Sequence, residues 1–382
     1  MQKKVLLLVI LGLFVFQTNS VLSFDSSYDY FIQLPKIPKI PKSPDSESAF
    51  NISNEALNMV IKENAPIVYL HSDDHYRPGN VDDYLEATDL YHGKSRLGKA
   101  SEQNLKNLDK NHHLKITDTH IIRGNIEKSK TYVRVKHKDN SLYIQYFFFY
   151  PYNGAGSLNI HTSLKNFRRQ SLAPFGEHQG DWEHIIVKLN DDNFNIQEIC
   201  IYQHGDAEIL TKTEMKDHMT FDKGHPVVYS SRNGHATYYK PGSNLTSSFV
   251  THFEACINIL VKKVCKSVFT VRGGLRNDCD ENGIRYDTSQ RISLIAVENI
   301  SGIEVSTPDW YYYKGQWGPS NQTRCDKVVH KVVSRTIPRK SCVAGKWCVD
   351  PRGRVEKLIV SKIPSKAYGN GPTGPEDKSW WD

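Results

Sequence analysis

The run Leu142–Tyr150 is the most apolar and aromatic stretch that follows residue 23, and Pro151 and Asn153 end it. Its β-branched and aromatic content favours a strand at the centre of a core. Residues 132–136, 181–189, 195–202 and 226–231 also carry strand patterns. The sequence therefore predicts a mainly β protein: a β-sandwich with a few short peripheral helices and disulfide-bearing loop insertions.

Helical and irregular segments are predicted around these strands. Ser53 can cap a helix over Asn54–Glu63, and Val81–Tyr91 has helical spacing of its apolar residues. Residues 92–113 and 157–174 are polar and are interpreted as irregular surface segments, while Gly273–Asp278 is interpreted as a turn.

The first 50 residues are interpreted as a targeting segment followed by a linker. Lys3 and Lys4 precede the apolar run Val5–Phe16, which is too short to cross a hydrocarbon layer of about 30 Å, so residues 1–23 are interpreted as a signal peptide. Residues 24–50 form a Pro/Lys-rich linker, and 51–382 a single domain. No transmembrane segment is expected after signal cleavage, and the predicted location is secreted or the lumen of the secretory pathway or vacuole.

Charge does not identify a partner. The formal net charge of +7 falls to about +5 once Lys3 and Lys4 are removed. The basic residues are spread along the chain rather than gathered on one helix, so no nucleic-acid partner is expected.

Seven cysteines in an oxidising compartment predict disulfides with one thiol left over. The preferred pairs are Cys342–Cys348 and Cys256–Cys265, each of which brackets a short segment. Cys279–Cys325 is a possible third, and Cys200 is the candidate buried free thiol. Four N-x-S/T sequons predict glycosylation; they lie at Asn51, Asn244, Asn299 and Asn321.

The stretch Gly176–His184 carries the candidate chemistry. On a strand, Asp181 and Glu183 project from one face and Trp182 and His184 from the other. His178, on a glycine-flanked turn, can fold back over the two carboxylates. One imidazole and two carboxylates suit a hard or borderline divalent cation, and Ca²⁺ or Mg²⁺ is predicted. The alternative is a set of surface charges at a strand edge with Trp182 in the core.

Further polar residues are candidates for an additional ligand or a supporting contact. His178, His204 and His235 each follow or end a strand near a glycine, so neighbouring strands would bring them to one rim. Asp278 is a further candidate, although an Asx-turn explains it equally well. His184 should point away from Asp181 and Glu183.

Residues from about 64 to 382 resemble the vacuolar protein sorting-associated protein 62 family. The matching segments, in chain order, are Ala65–Ser72, Gly176–His184, Gln203–His204, Pro226–Ser231, Gly234–Tyr238, Gly274–Asp278, Gln316–Pro319 and Gly371–Pro375. The stretches at about 244–272 and 324–366 are longer and richer in cysteine than the family pattern and are interpreted as stapled surface insertions.

The run from Gly176 to Glu183 is also similar to the G-H-x-x-D-W-E heptapeptide of the necrosis- and ethylene-inducing secreted proteins. In those proteins His, Asp and Glu bind a divalent cation on a β-sandwich that engages sphingolipid headgroups. The resemblance implies His178, Asp181 and Glu183 as ligands, with Glu177 as one extra residue between Gly and His.

Three functions stay open at this point. The first is cation-dependent recognition of a membrane lipid headgroup or glycan, favoured by the donor set and by the lack of a G-x-S-x-G nucleophile motif. The second is a metal-dependent hydrolase with His184, His204 or His235 as general acid or base. The third is a non-catalytic structural or protein-interaction module linked to vacuolar sorting.

Overall fold

The computed structural model describes residues 50–203, 206–259, 262–320, 324–345, 347–363 and 371–380. The predicted signal peptide, residues 24–49 of the predicted linker, His204 and Asn321 lie outside the described residues. In the described part of the chain, no helix is both long and apolar enough to cross a membrane.

Strands dominate the structure, as predicted, and helices are few and short. The helices are α1 Asn54–Glu63, α2 Val81–Glu86, α3 Lys212–His218, α4 Cys325–Thr336 and α5 Arg352–Lys362. The strands are β1 Phe50–Asn51, β2 Ile67–Leu70, β3 Thr88–His92, β4 Ser95–Lys99, β5 His112–Ile116, β6 Thr131–Lys138, β7 Ser141–Asn153, β8 Ser157–Thr162, β9 Asn166–Ser171, β10 His178–Asn190, β11 Ile196–Gln203, β12 Asp206–Thr211, β13 Phe221–Asp222, β14 His225–Ser230, β15 Thr237–Tyr238, β16 Gly242–Ile259, β17 Lys262–Cys279, β18 Ile284–Asp287, β19 Ile292–Glu298, β20 Ile300–Ser301, β21 Ser341–Val343 and β22 Trp347–Val349.

A six-stranded sheet in the order β12-β11-β10-β7-β6-β19 forms the centre. Strand β7 contains the predicted central run, and all its residues except Tyr152 are buried. Alternate residues such as Phe148 and Phe149 belong to different apolar clusters, so the strand is covered on both faces. This is why its sequence reads as a continuous apolar run rather than as an alternating one.

One face of this sheet packs against α1 and a second sheet in the order β13-β14-β2-β18, to which β15 adds through β14. Val68 of β2, Val228 of β14 and Leu57 of α1 lie in this core. Strands β14 and β2 run parallel, with Ser230 opposite Leu70, so both strands end at the same edge. The loops that follow them therefore start side by side.

The opposite face is covered by an aromatic layer that includes Tyr84, Trp182, Trp310 and Trp317. Trp317 is completely buried, and its ring centroid lies 5.1 Å from that of Trp182 and 5.4 Å from that of Phe149. The terminal segment 371–380 reaches this layer, because Trp317 N donates to Pro372 O at 2.9 Å. The aromatic residues Trp310 and Trp317 of the C-terminal third are therefore core.

The two cysteine-bearing stretches contain regular structure. Strands β16 and β17 form a long hairpin crosslinked by Cys256–Cys265, and it extends into a four-stranded sheet with β8 and β9. Helices α4 and α5 cover this sheet, and Cys342–Cys348 joins β21 to β22. Both preferred disulfides are confirmed.

Of the other two cysteine predictions, one is confirmed and one is wrong. Cys200 is a buried free thiol, as predicted, but Cys279 and Cys325 are also free. Cys279 is buried with β14 and β15, whereas Cys325 begins α4 in the cluster under the hairpin. The predicted Cys279–Cys325 bond is wrong because the two thiols belong to different cores.

Four local predictions are also wrong. Residues 92–113 are not irregular throughout, because they contain β4, which pairs with β3. The helix from Val81 ends at Glu86 because Thr88–His92 pairs with β4 and β5. The polar segment 157–174 contains β8 and β9, in which Leu158 and Ile160 alternate into a core. Residues 273–278 continue β17 rather than forming a turn.

The sequons differ in accessibility. Asn51 and Asn299 are exposed, whereas the side-chain nitrogen of Asn244 is buried. Glycan attachment stays a prediction, and in the folded chain Asn51 and Asn299 are its accessible positions among the described sequons.

Tyr146 joins the central sheet to α1, since its buried hydroxyl donates to Ile61 O at 2.7 Å. We predict that Tyr146→Phe lowers the free energy of unfolding by about 1–2 kcal/mol, because a buried carbonyl loses its partner. Urea denaturation measures this. Tyr312→Phe, at a half-buried tyrosine, is the control, and an unchanged midpoint for Tyr146→Phe contradicts the prediction.

Candidate metal and anion sites

Strand β10 carries the predicted alternation. Asp181 lies opposite Tyr150 and Glu183 opposite Phe148, on the face that continues into Ile185. Trp182 faces the aromatic layer on the other side. Asp181 is 6% exposed and Glu183 is partly buried, so the predicted pair of carboxylates projects into the protein rather than into open solvent.

His235 is brought to Asp181 by the loop after β14. Its Nδ1 donates to Asp181 Oδ2 at 2.9 Å, and its ring stacks on Tyr150 with centroids 3.8 Å apart. His235 has φ +53°, in the left-handed region, and its N–H donates to Ser231 O at 3.0 Å. This tight turn places the imidazole beside β10, as the strand-end pattern of histidines predicted.

Asp74, in the loop after β2, faces the other side of the same imidazole. Its Oδ2 lies 3.7 Å from His235 Nε2 and accepts from Asn233 N at 2.7 Å. Its Oδ1 accepts from Tyr76 N at 2.9 Å. Sequence reasoning missed Asp74 as a site residue, although the acidic pair that follows strand β2 was visible.

His178 approaches from the start of β10. Its Nδ1 donates to Gly180 O at 2.7 Å, which leaves Nε2 with the lone pair that a metal requires. Burial lowers the pKa of His178 and the charge of Asp181 opposes this effect. We name Asp74, His178, Asp181, Glu183 and His235 the acidic cluster.

Within the acidic cluster, the pKa values of the two carboxyl groups of β10 are shifted in opposite directions. Burial, followed by the charge of Asp181, raises the pKa of Glu183 well above its ordinary value, and Lys378 opposes this rise. Burial also acts to raise the pKa of Asp181, but the hydrogen bond from His235 and the charge of His178 lower it on balance. Lys378 thus acts on the charge of both carboxylates, Asp181 and Glu183.

The three predicted metal ligands are near one another but not tightly gathered. Among the described residues, groups of ligand atoms that all lie within 4.8 Å of one another are His92, Asp109 and His112, and Glu254 with the disulfide-bonded Cys256 and Cys265. His178, Asp181 and Glu183 do not form such a group. Asp181 and Glu183 share one face of β10, and the charge of Asp181 acts on the pKa of both His178 and Glu183.

The remaining histidine candidate of this strand points elsewhere. His184 faces away from Asp181, as predicted, and its ring centroid lies 4.1 Å from that of Tyr202 and 5.5 Å from that of Phe147. Burial lowers the pKa of His184 well below its ordinary value. It is a neutral core side chain.

Asp278 belongs to a separate arginine pocket. This cavity of about 170 Å³ is lined by Ala155, Gly156, Ser157, Arg169, Ser171, Arg232, Asn233, Arg276 and Asp278. Arg169 and Arg276 both donate to Asp278 Oδ2, and the Ser243 hydroxyl donates to Oδ1, so both oxygens of this carboxylate have partners. The Nε of Arg232 is buried and has no hydrogen-bond partner in the described structure.

The acidic cluster and the arginine pocket share one loop. Asn233 donates its backbone N–H to Asp74 and also lines the pocket beside Arg232, two residues before His235. Sequence reasoning missed the pocket, because its arginines come from residues 169, 232 and 276, which no local pattern connects.

Fold and site together define a mainly β protein with a buried acidic cluster beside a basic cavity. The chain belongs to the vacuolar protein sorting-associated protein 62 family, whose profile matches residues 42–382. A relative is TDA6 of Saccharomyces cerevisiae strain S288c, whose name associates it with vacuolar protein sorting. It is 22% identical over an alignment 376 residues long, which covers 86% of this chain and 72% of TDA6. The predicted family is confirmed.

Structural neighbours include necrosis- and ethylene-inducing proteins. Protein 2 from the agent of cocoa's Witches Broom disease is 17% identical, with TM-score 0.27, over 53% of this chain and 72% of that one. NLPPya in complex with glucosamine is 13% identical, with TM-score 0.27, over 48% and 66%. The non-toxic HaNLP3 is 10% identical, with TM-score 0.29, over 67% and 79%. Such low scores carry no functional argument.

His71, the residue that follows β2, provides a pH test. It is 5% exposed, and its Nδ1 accepts from Asp73 N at 3.1 Å. Burial lowers its pKa from 6.5; the charge of Asp280 opposes this effect, and the charges of Arg169 and Arg232 add to it. The neutral imidazole therefore stabilises the fold fully above pH 6.5, and this contribution is lost as the pH falls through the folded-state pKa.

We predict that His71→Asn, which keeps an acceptor for Asp73 N, loses less stability than the wild type between about pH 7.5 and about pH 5. Urea denaturation at each pH measures this difference, with His252→Asn at an exposed histidine as the control. Parallel curves for the wild type and His71→Asn contradict the prediction.

Proposed function

We propose that this chain binds Ca²⁺ or Mg²⁺ at the acidic cluster and uses it to hold a membrane lipid headgroup or a glycan. The observation that carries the proposal is the projection of Asp181 and Glu183 from one face of β10 into the protein, with Asp74 on the far side of the His235 imidazole that donates to Asp181. A divalent cation would balance these carboxylates.

The donor set fits a hard cation. Asp181 and Glu183 supply oxygens, and the hydrogen bond from His178 Nδ1 to Gly180 O leaves Nε2 as an additional donor. His235 Nε2 is buried without a hydrogen-bond partner in the described structure and faces the Asp74 carboxylate. His178, Asp181 and Glu183 would hold the ion directly, while His235 and Asp74 would orient Asp181.

The arginine pocket supports the second half of the proposal. Arg169 and Arg276 pair with the carboxylates of Asp278 and Asp73. The third arginine of the pocket, Arg232, has a buried Nε without a hydrogen-bond partner in the described structure. Arginine matches phosphate and carboxylate oxygens in geometry. A headgroup or glycan that bears such an anionic group would bind the pocket and reach the cation through its remaining oxygens.

The location follows from the family and stays part of the proposal. Membership in the vacuolar protein sorting family supports a site of action in the vacuolar or secretory route, which agrees with the predicted signal peptide. Disulfide bonds on two hairpins agree with an oxidising lumen or exterior.

The hydrolase alternative gains no support from the described histidines. His184 packs between aromatic rings on the opposite face, and His235 is 1% exposed beneath Tyr150. A general base must lie within hydrogen-bond reach of the substrate, and neither imidazole offers that access. His204 lies outside the described residues.

Metal binding is tested by calorimetric titration of chelator-treated protein with Ca²⁺ and Mg²⁺. We expect one site in the wild type and a loss of affinity of roughly 10- to 100-fold or more in Glu183→Gln. Glu198→Gln is the matched control, because Glu198 lies in the same sheet and pairs with Lys188 at 3.1 Å.

A second readout separates binding from folding. Because the pKa of Glu183 is raised in the fold, the metal-free protein loses stability above pH 4.5, where the unfolded chain ionises this side chain more readily than the folded one does. Glu183→Gln should therefore raise the melting temperature of the metal-free protein at neutral pH. Absence of binding by the wild type at millimolar metal refutes the cation site.

A lower melting temperature of Asp181→Asn with unchanged ligand affinity supports the structural alternative instead.

Headgroup binding is tested by co-sedimentation with vesicles of phosphatidylcholine alone or mixed with phosphatidylinositol phosphate, with Ca²⁺ or with chelator. We predict binding only to anionic vesicles, weakened both by chelation and by Arg232→Ala, because each removes one of the two contacts. Arg339→Ala, at an exposed arginine outside the pocket, is the control. Equal binding of wild type and Arg232→Ala contradicts a role for the pocket.

A further inference from the structure

A second cluster of metal donors lies on the three-stranded sheet β4-β3-β5, away from the strands that build the acidic cluster. His92 ends β3 and His112 begins β5, and the two residues are direct cross-strand partners. Their ring centroids are 4.7 Å apart at an angle of 38°. Opposite residues of an antiparallel pair hold their side chains on the same face, so both imidazoles point to one side of the sheet.

Asp109 joins this pair from the turn that leads into β5. Its Oδ1 lies 2.8 Å from His112 Nδ1 and also accepts from Asn111 N at 3.0 Å. The carbonyl of Asp109 accepts from His112 N at 3.1 Å, and Gly93 N donates to Asn111 O at 3.1 Å. These bonds fix the turn against the end of β3, so the carboxylate is held beside the imidazoles by backbone structure.

One ligand atom each from His92, Asp109 and His112 lies within 4.8 Å of the other two. A tetrahedral ion with bonds of about 2.0–2.1 Å keeps its nitrogen and oxygen ligands about 3.3 Å apart. The upper bound of 4.8 Å exceeds this spacing, so rotation of the side chains would bring the three donors onto one ion. His92 and Asp109 are exposed, so a water molecule can complete the coordination.

We propose that His92, Asp109 and His112 form a binding site for a borderline transition-metal ion, represented by Zn²⁺. Two imidazoles and one carboxylate suit Zn²⁺, Ni²⁺ or Cu²⁺, whereas Ca²⁺ and Mg²⁺ prefer sets of oxygen donors. The chain would then carry two sites of opposite preference, an oxygen-rich one on β10 and this nitrogen-rich one.

The bound ion would tie β3 and the 109–112 turn to the aromatic layer. His112 O accepts from Gln316 N at 2.9 Å, and Leu114 N donates to Gln316 O at 2.9 Å, immediately before the buried Trp317. Metal binding at His112 is thereby mechanically connected to the segment that covers β10. The expected consequence is a higher melting temperature in the presence of Zn²⁺.

The test is calorimetric titration of the full chain with Zn²⁺, with Ni²⁺ as a second probe, together with melting curves. The matched control is His113→Ala, because His113 is the adjacent histidine on the opposite face of β5 and stacks on Tyr91 at 5.3 Å. We expect His92→Ala to lose at least tenfold in Zn²⁺ affinity and to lose the rise in melting temperature. His113→Ala should keep both.

Two further variants make the outcome decisive. Glu183→Gln should bind Zn²⁺ at this site like the wild type, so failure of the acidic-cluster proposal leaves this one intact. Asp109→Asn, at an exposed position, should weaken Zn²⁺ binding without unfolding the chain, as circular dichroism will show. Equal Zn²⁺ affinity of the wild type, His92→Ala and Asp109→Asn overturns the proposal.

Discussion

The close approach of Trp317 to Gly180 is the contact on which the rest of the structure depends. A Cβ at residue 180 would lie 2.6 Å from Trp317 O, and Gly180 has φ +64°, in the left-handed region. The same carbonyl accepts from the Tyr84 hydroxyl, while the indole fills the aromatic layer against Trp182. Glycine at this position lets the layer close directly over the start of β10 and directs Asp181 to the opposite face.

Burial then determines the chemistry of the acidic cluster. Asp181 stays ionised because His235 and His178 stabilise its charge, and that charge in turn raises the pKa of Glu183. The two carboxylates are two residues apart on the same face of one strand, so the backbone holds them close together. Solvent would screen the repulsion within an exposed pair of the same spacing. In this partly buried pair the repulsion is screened less, so a nearby positive charge stabilises it.

Local sequence patterns predicted much of this arrangement. The remaining contacts join residues that are distant in sequence, and local patterns could not predict them. The period-two alternation placed Asp181 and Glu183 on one face, and the short loops around Cys256 and Cys342 indicated their disulfides, because both features depend only on neighbours in sequence. Asp74 meets His235 only because β2 and β14 are parallel neighbours, a pairing between residues 160 positions apart. The helical spacing at Thr88–His92 did not predict the strand, because pairing with two other strands determines the structure there. Cys279 and Cys325 do not form a disulfide because the fold places them in different apolar clusters.

Segment 371–380 contributes more than a closing contact to this scaffold. Arg134 donates to Lys378 O and stacks on the Trp380 ring, which holds the segment across the central sheet. The ammonium of Lys378 thereby offsets part of the charge of Asp181 and Glu183. A fragment truncated before residue 371 would retain every donor atom of the acidic cluster but with a different electrostatic balance, so affinities measured on such a fragment would not transfer to the intact chain.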